Sequence, residues 1–264
     1  MFRAAVLGKP IAHSLSPVLH RAAYQALGLG DWTYQAVECD AQDLPRVLDG
    51  GWAGLSLTMP LKRAVLPLLD EVEPLAAEVG GANTVVFTAG GRHGYNTDVH
   101  GMVAALAEAG AGKPRSATIV GAGATACAAL AALRELGLTQ VVALARDRAR
   151  AGELLAAALR LGMEVDVRPL SAGVRDGDLL ISTVPAGAAD FLSERTVVPP
   201  PVPAAVLDVV YAPWPTRLAT AAAQAGAPVA SGASMLLHQA ARQVELMTGQ
   251  APAPLAAMRA AISG

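Results

Sequence analysis

The sequence predicts an α/β fold with largely parallel sheets, on three observations. Short apolar runs alternate with helix-patterned segments along all 264 residues, the pattern of strands linked by crossover helices. The helical segments are rich in alanine, 57 in the chain; small side chains let a helix lie close to a sheet, and alanine has the best helix propensity. Turn signals such as Gly90-Gly91 and Gly112-Lys113-Pro114 punctuate the alternation.

In chain order, candidate strands cover residues 3–7, 33–38, 54–57, 84–88, 117–120, 140–144, 164–167, 179–183, 205–210 and 228–230. Candidate helices cover 17–27, 62–69, 98–109, 125–136, 149–161, 216–225 and 233–248. The first strand runs into Gly8, and Ser16 before Pro17 reads as a helix cap with proline at the first helical position. In the third strand Leu55, Leu57 and Met59 alternate with Ser56 and Thr58, which puts both hydroxyls on one face. Residues 89–92 read as a turn. After the helix from Asp98, the linker from Gly110 to Pro114 breaks the chain, so the domain boundary falls near residues 90–115. The run from Val198 to Pro203 cannot continue a helix and reads as an extended connection.

Composition excludes several classes. At 53% hydrophobic and 16% charged the chain has too little charge for disorder. Its 26 glycines are scattered, unlike collagen. No apolar run reaches about 18 residues, and a net charge of −2 lacks a basic nucleic-acid footprint. Neither nucleic acid nor membrane is an expected partner, and no metal is expected. Cys39 and Cys127 make no disulfide framework or zinc site and read as buried thiols. The N-terminal apolar stretch is too short for a signal peptide, so a soluble cytoplasmic protein is expected. Arginines number 17 but lysines only three, Lys9, Lys62 and Lys113.

The segment after the candidate strand 117–120 reads Gly121-Ala122-Gly123-Ala124-Thr125-Ala126 and then continues as a helix. Gly121 permits a tight turn, Gly123 lets the backbone approach a pyrophosphate, and small Ala126 allows close helix–strand packing. An anion would lie on the helix N-terminus, where unpaired N–H groups and the dipole favour it. The alternative is a glycine turn in an ordinary βα unit. At the end of the next strand, Ala145-Arg146-Asp147-Arg148-Ala149-Arg150 offers three arginines, with no acidic residue leading the turn. Guanidinium suits a 2′-phosphate, so NADP is favoured over NAD. Asp147 argues for restraint, and Arg148 and Arg150 can equally face water.

The first half of the chain carries polar loops. Ser14 and Ser16 follow the first strand, where two hydroxyls can hold a carboxylate; His13 beside them reads as structural rather than catalytic. Lys62 opens a helix, and a cation there opposes the helix dipole. A locally unfavourable residue is a reason to suspect function. Asn83 and Asp98 stand at element boundaries. Asp98 can cap the next helix or pair with Lys62, and a lysine–carboxylate pair can pass a proton to a substrate oxygen.

Taken together, residues 8–17, 57–62, 82–84, 96–98, 121–126, 208–211 and 232–239 resemble the shikimate dehydrogenase family, in the family's order and over nearly the whole chain. The resemblance implies reduction of 3-dehydroshikimate to shikimate with NADPH, in aromatic amino-acid biosynthesis. It implies two α/β domains with the active site in the cleft between them. Residues 1–100 would form the substrate-binding and catalytic domain, with 237–264 packing back on it. Residues 101–236 would form a Rossmann-like NADP-binding domain. Ser14 and Ser16, with Tyr211, would hold the substrate carboxylate; Thr58, Asn83, Asp98 and Gln239 would bind the ring hydroxyls. Lys62 would be the acid or base, coupled to Asp98. Gly121, Ala122, Gly123, Ala124 and Thr125 would cradle the pyrophosphate, and Arg146 and Arg150 the 2′-phosphate. Val209, Gly232 and Met235 would line the nicotinamide pocket.

The chain departs from the family at Ser56 and Ala145, where asparagine is usual, and at residues 181–185. Ser56 alters hydrogen bonding beneath the substrate; Ala145 removes a contact near the adenosine ribose. A quinate or aminoshikimate dehydrogenase, a folate dehydrogenase of similar plan and a non-catalytic NADP-binding sensor are the alternatives. A monomer or homodimer is expected.

Overall fold

The structure, a computed structural model, describes residues 1–174, 178–192 and 203–263, without the side chain of Arg150. The extended connection expected at 198–203 lies outside these residues except for Pro203. The elements are β1 (Phe2–Gly8), α1 (Ser16–Ala26), β2 (Trp32–Glu38), α2 (Leu44–Leu48), β3 (Gly54–Leu57), α3 (Leu61–Ala64), β4 (Glu71–Val72), α4 (Pro74–Val79), β5 (Thr84–Thr88), β6 (Gly91–Tyr95) and α5 (Asp98–Glu108). They continue with β7 (Ala117–Val120), α6 (Ala124–Glu135), β8 (Gln140–Ala145), α7 (Gly152–Leu161), β9 (Glu164–Pro169), β10 (Leu179–Ser182), β11 (Ala205–Asp208), α8 (Arg217–Gln224), β12 (Val229–Ser231), α9 (Gly232–Thr248) and α10 (Leu255–Ile262). The chain forms two compact units, Met1–Asp98 with Leu236–Gly264, and Val99–Met235.

The first unit holds a six-stranded sheet in the order β2-β1-β3-β5-β6-β4. β1, β2 and β3 are parallel, as the alternating pattern predicts, but β5 runs antiparallel to both β3 and β6. The sheet is therefore mixed rather than largely parallel. The turn expected at 89–92 is the tip of the β5–β6 hairpin, with Gly91 and Arg92 already in its second strand. The sequence hides β6 because Gly-Arg-His-Gly-Tyr has neither β-branched residues nor apolar alternation.

Side-chain parity divides this unit into two cores. Ala4 and Val6 of β1 face a cluster with Leu19, Ala23 and Tyr24 of α1, Leu237 and Val244 of α9, and Met258 of α10. Ala5 and Leu7 face the opposite cluster with Leu44, Leu55, Leu57, Leu61 and Ala76. Period-two alternation dictates this split. It also turns Ser56 away from Leu55 and Leu57, onto the α9 side. The C-terminal segment closes that side, and Met247 lies where a Cβ on Gly54 would stand.

The predicted helix over 62–69 is one α-turn, Leu61–Ala64, followed by a 3₁₀ turn at Leu66–Leu68. Pro67 has no N–H to donate to the preceding turn, so the α-helix cannot continue through it. Short elements the pattern did not resolve are α2, α4, β4 and α10.

The second unit holds six strands in the order β12-β11-β10-β7-β8-β9, all parallel. Helix α6 is buried continuously from Ala126 to Leu133. A helix apolar on all sides is a buried helix, and its alanines let the packing close. Cys39 and Cys127 are both buried thiols outside any disulfide, as expected.

One buried base has a measurable consequence. His20 of α1 stacks on Tyr34 of β2, ring centroids 3.9 Å apart, and its Nδ1 lies 2.9 Å from the Ser16 carbonyl. A carbonyl only accepts, so Nδ1 carries the proton and Nε2 is left without a partner among the described residues. Burial pushes the imidazole down from 6.5 to about 4. The unfolded chain therefore binds a proton between those values that the native state refuses, and stability falls as pH drops through this window. The loss approaches about 3 kcal/mol near pH 4. His20→Phe keeps the stack and removes the titration, so urea unfolding at about pH 4.5 and pH 7 should show a smaller stability difference than in the wild type. An equal difference would contradict the assignment.

Candidate active site

The C-terminal ends of β1 and β3 lie side by side and feed two polar loops. Lys9 N–H donates to the Met59 carbonyl at 3.0 Å and Thr58 N–H to the Leu7 carbonyl at 2.9 Å. The loops approach so closely that a Cβ on Gly8 would meet the Thr58 methyl and, at 3.1 Å, the Met59 carbonyl oxygen. Ser14, on the loop from β1 into α1, is half-buried, and Ser16 is buried. Ser16 is the first residue of α1 rather than its cap; Leu15 holds the cap position without a side-chain bond. The Ser16 N–H donates to Ser14 Oγ at 3.3 Å, which ties the two serines together. His13 is exposed, in line with a role outside the chemistry. Lys9 is a surface residue paired with Asp40 at 3.2 Å, and Lys113 is exposed.

Lys62 is the remaining lysine. Its Nζ lies 2.5 Å from Asp98 Oδ2, with side-chain exposures of 16% and 8%. The helix-dipole argument for Lys62 loses force, because α3 is a single turn with little dipole to oppose a cation. What constrains Lys62 is its carboxylate partner. Asp98 does not cap α5 from outside; it is the first residue of that helix, where a negative charge is favoured. Asn96 Oδ1 accepts from the Asp98 N–H at 3.1 Å, while Asn96 Nδ2 donates to the Gly81 carbonyl at 2.7 Å. This Asx turn leaves the Asp98 carboxylate free for Lys62 and Asn83.

Asn83 joins the pieces. Its N–H donates to Tyr95 O at 3.0 Å, and its carbonyl accepts from Leu57 N–H at 2.7 Å. Its Nδ2 donates to Asp98 Oδ1 at 2.9 Å and Thr97 Oγ1 at 3.0 Å, with Gln239 Oε1 at 3.3 Å. Its Oδ1 accepts from Thr97 N–H at 2.8 Å and Thr84 Oγ1 at 2.9 Å. Gln239, on α9, is buried, and its Nε2 donates to the Leu236 carbonyl at 3.0 Å. The structure thus gathers Lys62, Asn83, Asp98 and Gln239, with Thr58 half-buried at the end of β3. Sequence reasoning gave no role of their own to Thr97, Asn96, Tyr34 or Gln243. A polar residue at an apolar-phase position, such as Gln243 four residues after Gln239 on one helix, was the available signal.

In the second unit Gly121 has φ +114, which only glycine adopts freely, and a Cβ there would meet the Thr183 hydroxyl. Gly123 precedes α6 and has open space where a Cβ would stand. Ala126 is fully buried against the sheet. Ala122, Ala124 and Thr125 are part-exposed around the first turn of α6. A backbone that an anion can approach, above unpaired first-turn amides, fits a pyrophosphate. Arg146 is exposed beyond β8, and the Arg150 side chain lies outside the described residues. Asp147 Oδ1 accepts from Ala149 N–H at 2.9 Å and so caps the turn Arg148–Ala151. The carboxylate thus has a structural use as a cap, through one of its two oxygens.

The loop after β11 is pinned from below. Asp208 Oδ2 accepts from Thr216 Oγ1 at 2.8 Å and Oδ1 from Val210 N–H at 3.3 Å. Burial raises the Asp208 carboxyl, and these bonds oppose the rise. Tyr211, also raised by burial, stays a protonated donor. Gly232 sits against the Val209 carbonyl, and a Cβ would also stand 2.6 Å from the Val210 carbonyl oxygen. Met235 is buried.

Comparison with known proteins agrees over the full length. A family profile described as "Shikimate dehydrogenase substrate binding domain" matches residues 6–85, and one described as "Shikimate 5'-dehydrogenase C-terminal domain" matches residues 232–262. A protein of Geobacter metallireducens named "Shikimate dehydrogenase (NADP(+))" is 36% identical, covering 94% of this chain and 92% of its own. The crystal structure of Mycobacterium tuberculosis shikimate dehydrogenase aligns with TM-score 0.88 at 42% identity, over 100% of this chain and 99% of that one. A Thermus thermophilus shikimate 5-dehydrogenase in complex with NADP(H) and shikimate aligns with TM-score 0.84 at 37% identity, over 99% and 100% of the two chains.

Gly232→Ala should lower the thermal midpoint by several degrees, since a methyl group there meets two backbone carbonyls that cannot both move cheaply. Gly123→Ala, where the Cβ meets nothing, should leave the midpoint within about a degree or two. Differential scanning calorimetry of the two variants checks both; equal midpoints would refute the contrast.

Proposed function

The chain belongs to the shikimate dehydrogenase family, and from that premise we propose that it is an NADP-dependent oxidoreductase reducing 3-dehydroshikimate to shikimate. Residues 1–100 with 237–264 are the substrate side and residues 101–236 the cofactor side. One observation carries the chemistry, the half-buried Lys62–Asp98 pair held by Asn83.

Bound NADPH supplies a hydride to the ketone carbon. As that carbon is reduced, its oxygen gains charge and needs a proton. Lys62 is the donor: its ammonium gives up a proton at Nζ, and in the oxidative direction the amine takes it back. Arginine would not serve, because guanidinium does not release its proton in this range. Asp98 pairs the ammonium through Oδ2 and keeps lone pairs for a substrate hydroxyl. Thr58, Asn83 and Gln239 bind the ring hydroxyls. Ser14 and Ser16, with the Tyr211 phenol, bind the carboxylate.

Gly121, Ala122, Gly123, Ala124 and Thr125 cradle the pyrophosphate, Arg146 and Arg150 the 2′-phosphate, and Val209, Gly232 and Met235 the nicotinamide. What supports this is the open face at Gly123 and the exposed Arg146 beyond β8. No helix among the described residues is long and apolar enough to cross a membrane. The enzyme works in the cytoplasm as a monomer or homodimer.

Initial rates followed by NADPH absorbance, with shikimate and quinate against NADP⁺ and NAD⁺, test the assignment. Shikimate with NADP⁺ should have the highest kcat/KM; a preference for quinate would overturn the substrate. Lys62→Ala should lower kcat by about 10²–10⁴-fold with KM little changed. An unchanged kcat would remove Lys62 from the chemistry. Arg146→Asp should weaken NADPH more than NADH, and equal losses would argue against a 2′-phosphate contact.

A further inference from the structure

Beneath the Asn83–Asp98 contact runs a buried polar chain that the catalytic assignment does not use. Gln243 of α9 is 1% exposed. Its Nε2 donates both hydrogens, to the Asn83 carbonyl at 3.1 Å and to Thr84 Oγ1 at 2.9 Å. Its Oε1 accepts from Ser56 Oγ at 2.8 Å, and Ser56 Oγ accepts from the Tyr34 phenol at 2.6 Å. Thr84 Oγ1 in turn donates to Asn83 Oδ1.

The direction of every bond in this chain is fixed. The Asn83 carbonyl can only accept, so the Gln243 amide must point its NH₂ there and its oxygen at Ser56. Ser56 then spends its one proton on Gln243 and must receive one from Tyr34. Burial pushes the Tyr34 phenol above its ordinary range, so it remains a donor. Thr84 receives from Gln243 and must spend its proton on Asn83 Oδ1. With Oδ1 so occupied, the Asn83 NH₂ has one orientation left, toward Asp98. The register supplies the scaffold, since Ser56 of β3 and Thr84 of β5 are direct cross-strand partners on the face toward α9.

We propose that Gln243, Ser56 and Tyr34 are positioning residues for the reaction: through Thr84 they lock the Asn83 amide so that its NH₂ holds Asp98 in place against Lys62. This rests on the proposed function. It also gives Ser56, where the family usually has asparagine, a use of its own: a short hydroxyl leaves room for Gln243 to reach across and complete the lock.

The test compares variants matched in volume that differ in the bonds they can make. Gln243→Met deletes the amide. Ser56→Val and Ser56→Thr have the same shape and differ in the hydroxyl alone. Each is normalised to its number of NADPH-binding sites, by fluorescence titration, because the cofactor residues are untouched. Gln243→Met and Ser56→Val should lower kcat at least about tenfold with KM for shikimate changed by less than about threefold. Ser56→Thr should retain kcat within about threefold of wild type, so the hydroxyl and not the volume is what matters. Tyr34→Phe should fall between. Equal kcat for Ser56→Val and Ser56→Thr, or a lowered melting midpoint with unchanged kcat per site, would overturn the proposal in favour of a plain core role. Loss of NADPH-binding sites in all the variants would do the same. Turnover of shikimate by the wild type tests the functional reading, and the ratio of variant to wild-type kcat tests this one, so the two failures are distinguishable.

Discussion

The pairing of β5 with β6 in the register Thr84↔Tyr95 fixes where the polar residues of the first unit can be. Asn83 precedes one strand and Asn96, Thr97 and Asp98 follow the other, so the open end of the hairpin sets them side by side. β5 also pairs antiparallel with β3, which brings the end of β3, and with it Thr58 and Lys62, to the same edge. A slip of one residue between β3 and β5 would put Thr84 and Ser56 on opposite faces of the sheet. The site is therefore a property of sheet register before it is a property of any one side chain.

Such a register is held by polar groups that are costly to leave unpaired. A buried donor or acceptor without a partner costs about 1–3 kcal/mol, more for a charge. Asn83, Thr84, Thr97, Asp98, Gln239 and Gln243 are all buried. Their bonds close on one another and on backbone, so displacing one member leaves several others unpaired. This makes the arrangement single-valued, and it keeps Asp98 aimed at Lys62 in a place where water contributes little.

The second unit solves a different problem with different means. There segments of the backbone come close to one another, and small residues make that possible. Gly121 takes a backbone conformation closed to other residues, Gly123 leaves its Cβ space empty, and Gly232 presses on the Val209 carbonyl. The alanines of α6 serve the same end by letting a helix lie fully buried beside the parallel sheet. The alanine-rich composition thus reflects close approach as well as helix propensity.

Local patterns were enough to read the α/β class, the parallel second sheet and the glycine turn from sequence, and to single out Lys62 and Asp98 as a pair, because each depends on a few neighbouring residues. The tail glutamine came only through family resemblance. The hairpin strand β6, the single-turn α3, the use of Asp147 as a cap and the Tyr34–Ser56–Gln243 chain were not legible. The last of these depends on partners 22 to 187 residues apart, Tyr34 with Ser56 and Ser56 with Gln243. Sequence determines which groups are available and which face of an element they occupy. Only tertiary structure decides which distant acceptor each buried donor meets, because that choice is made by strand register and helix placement.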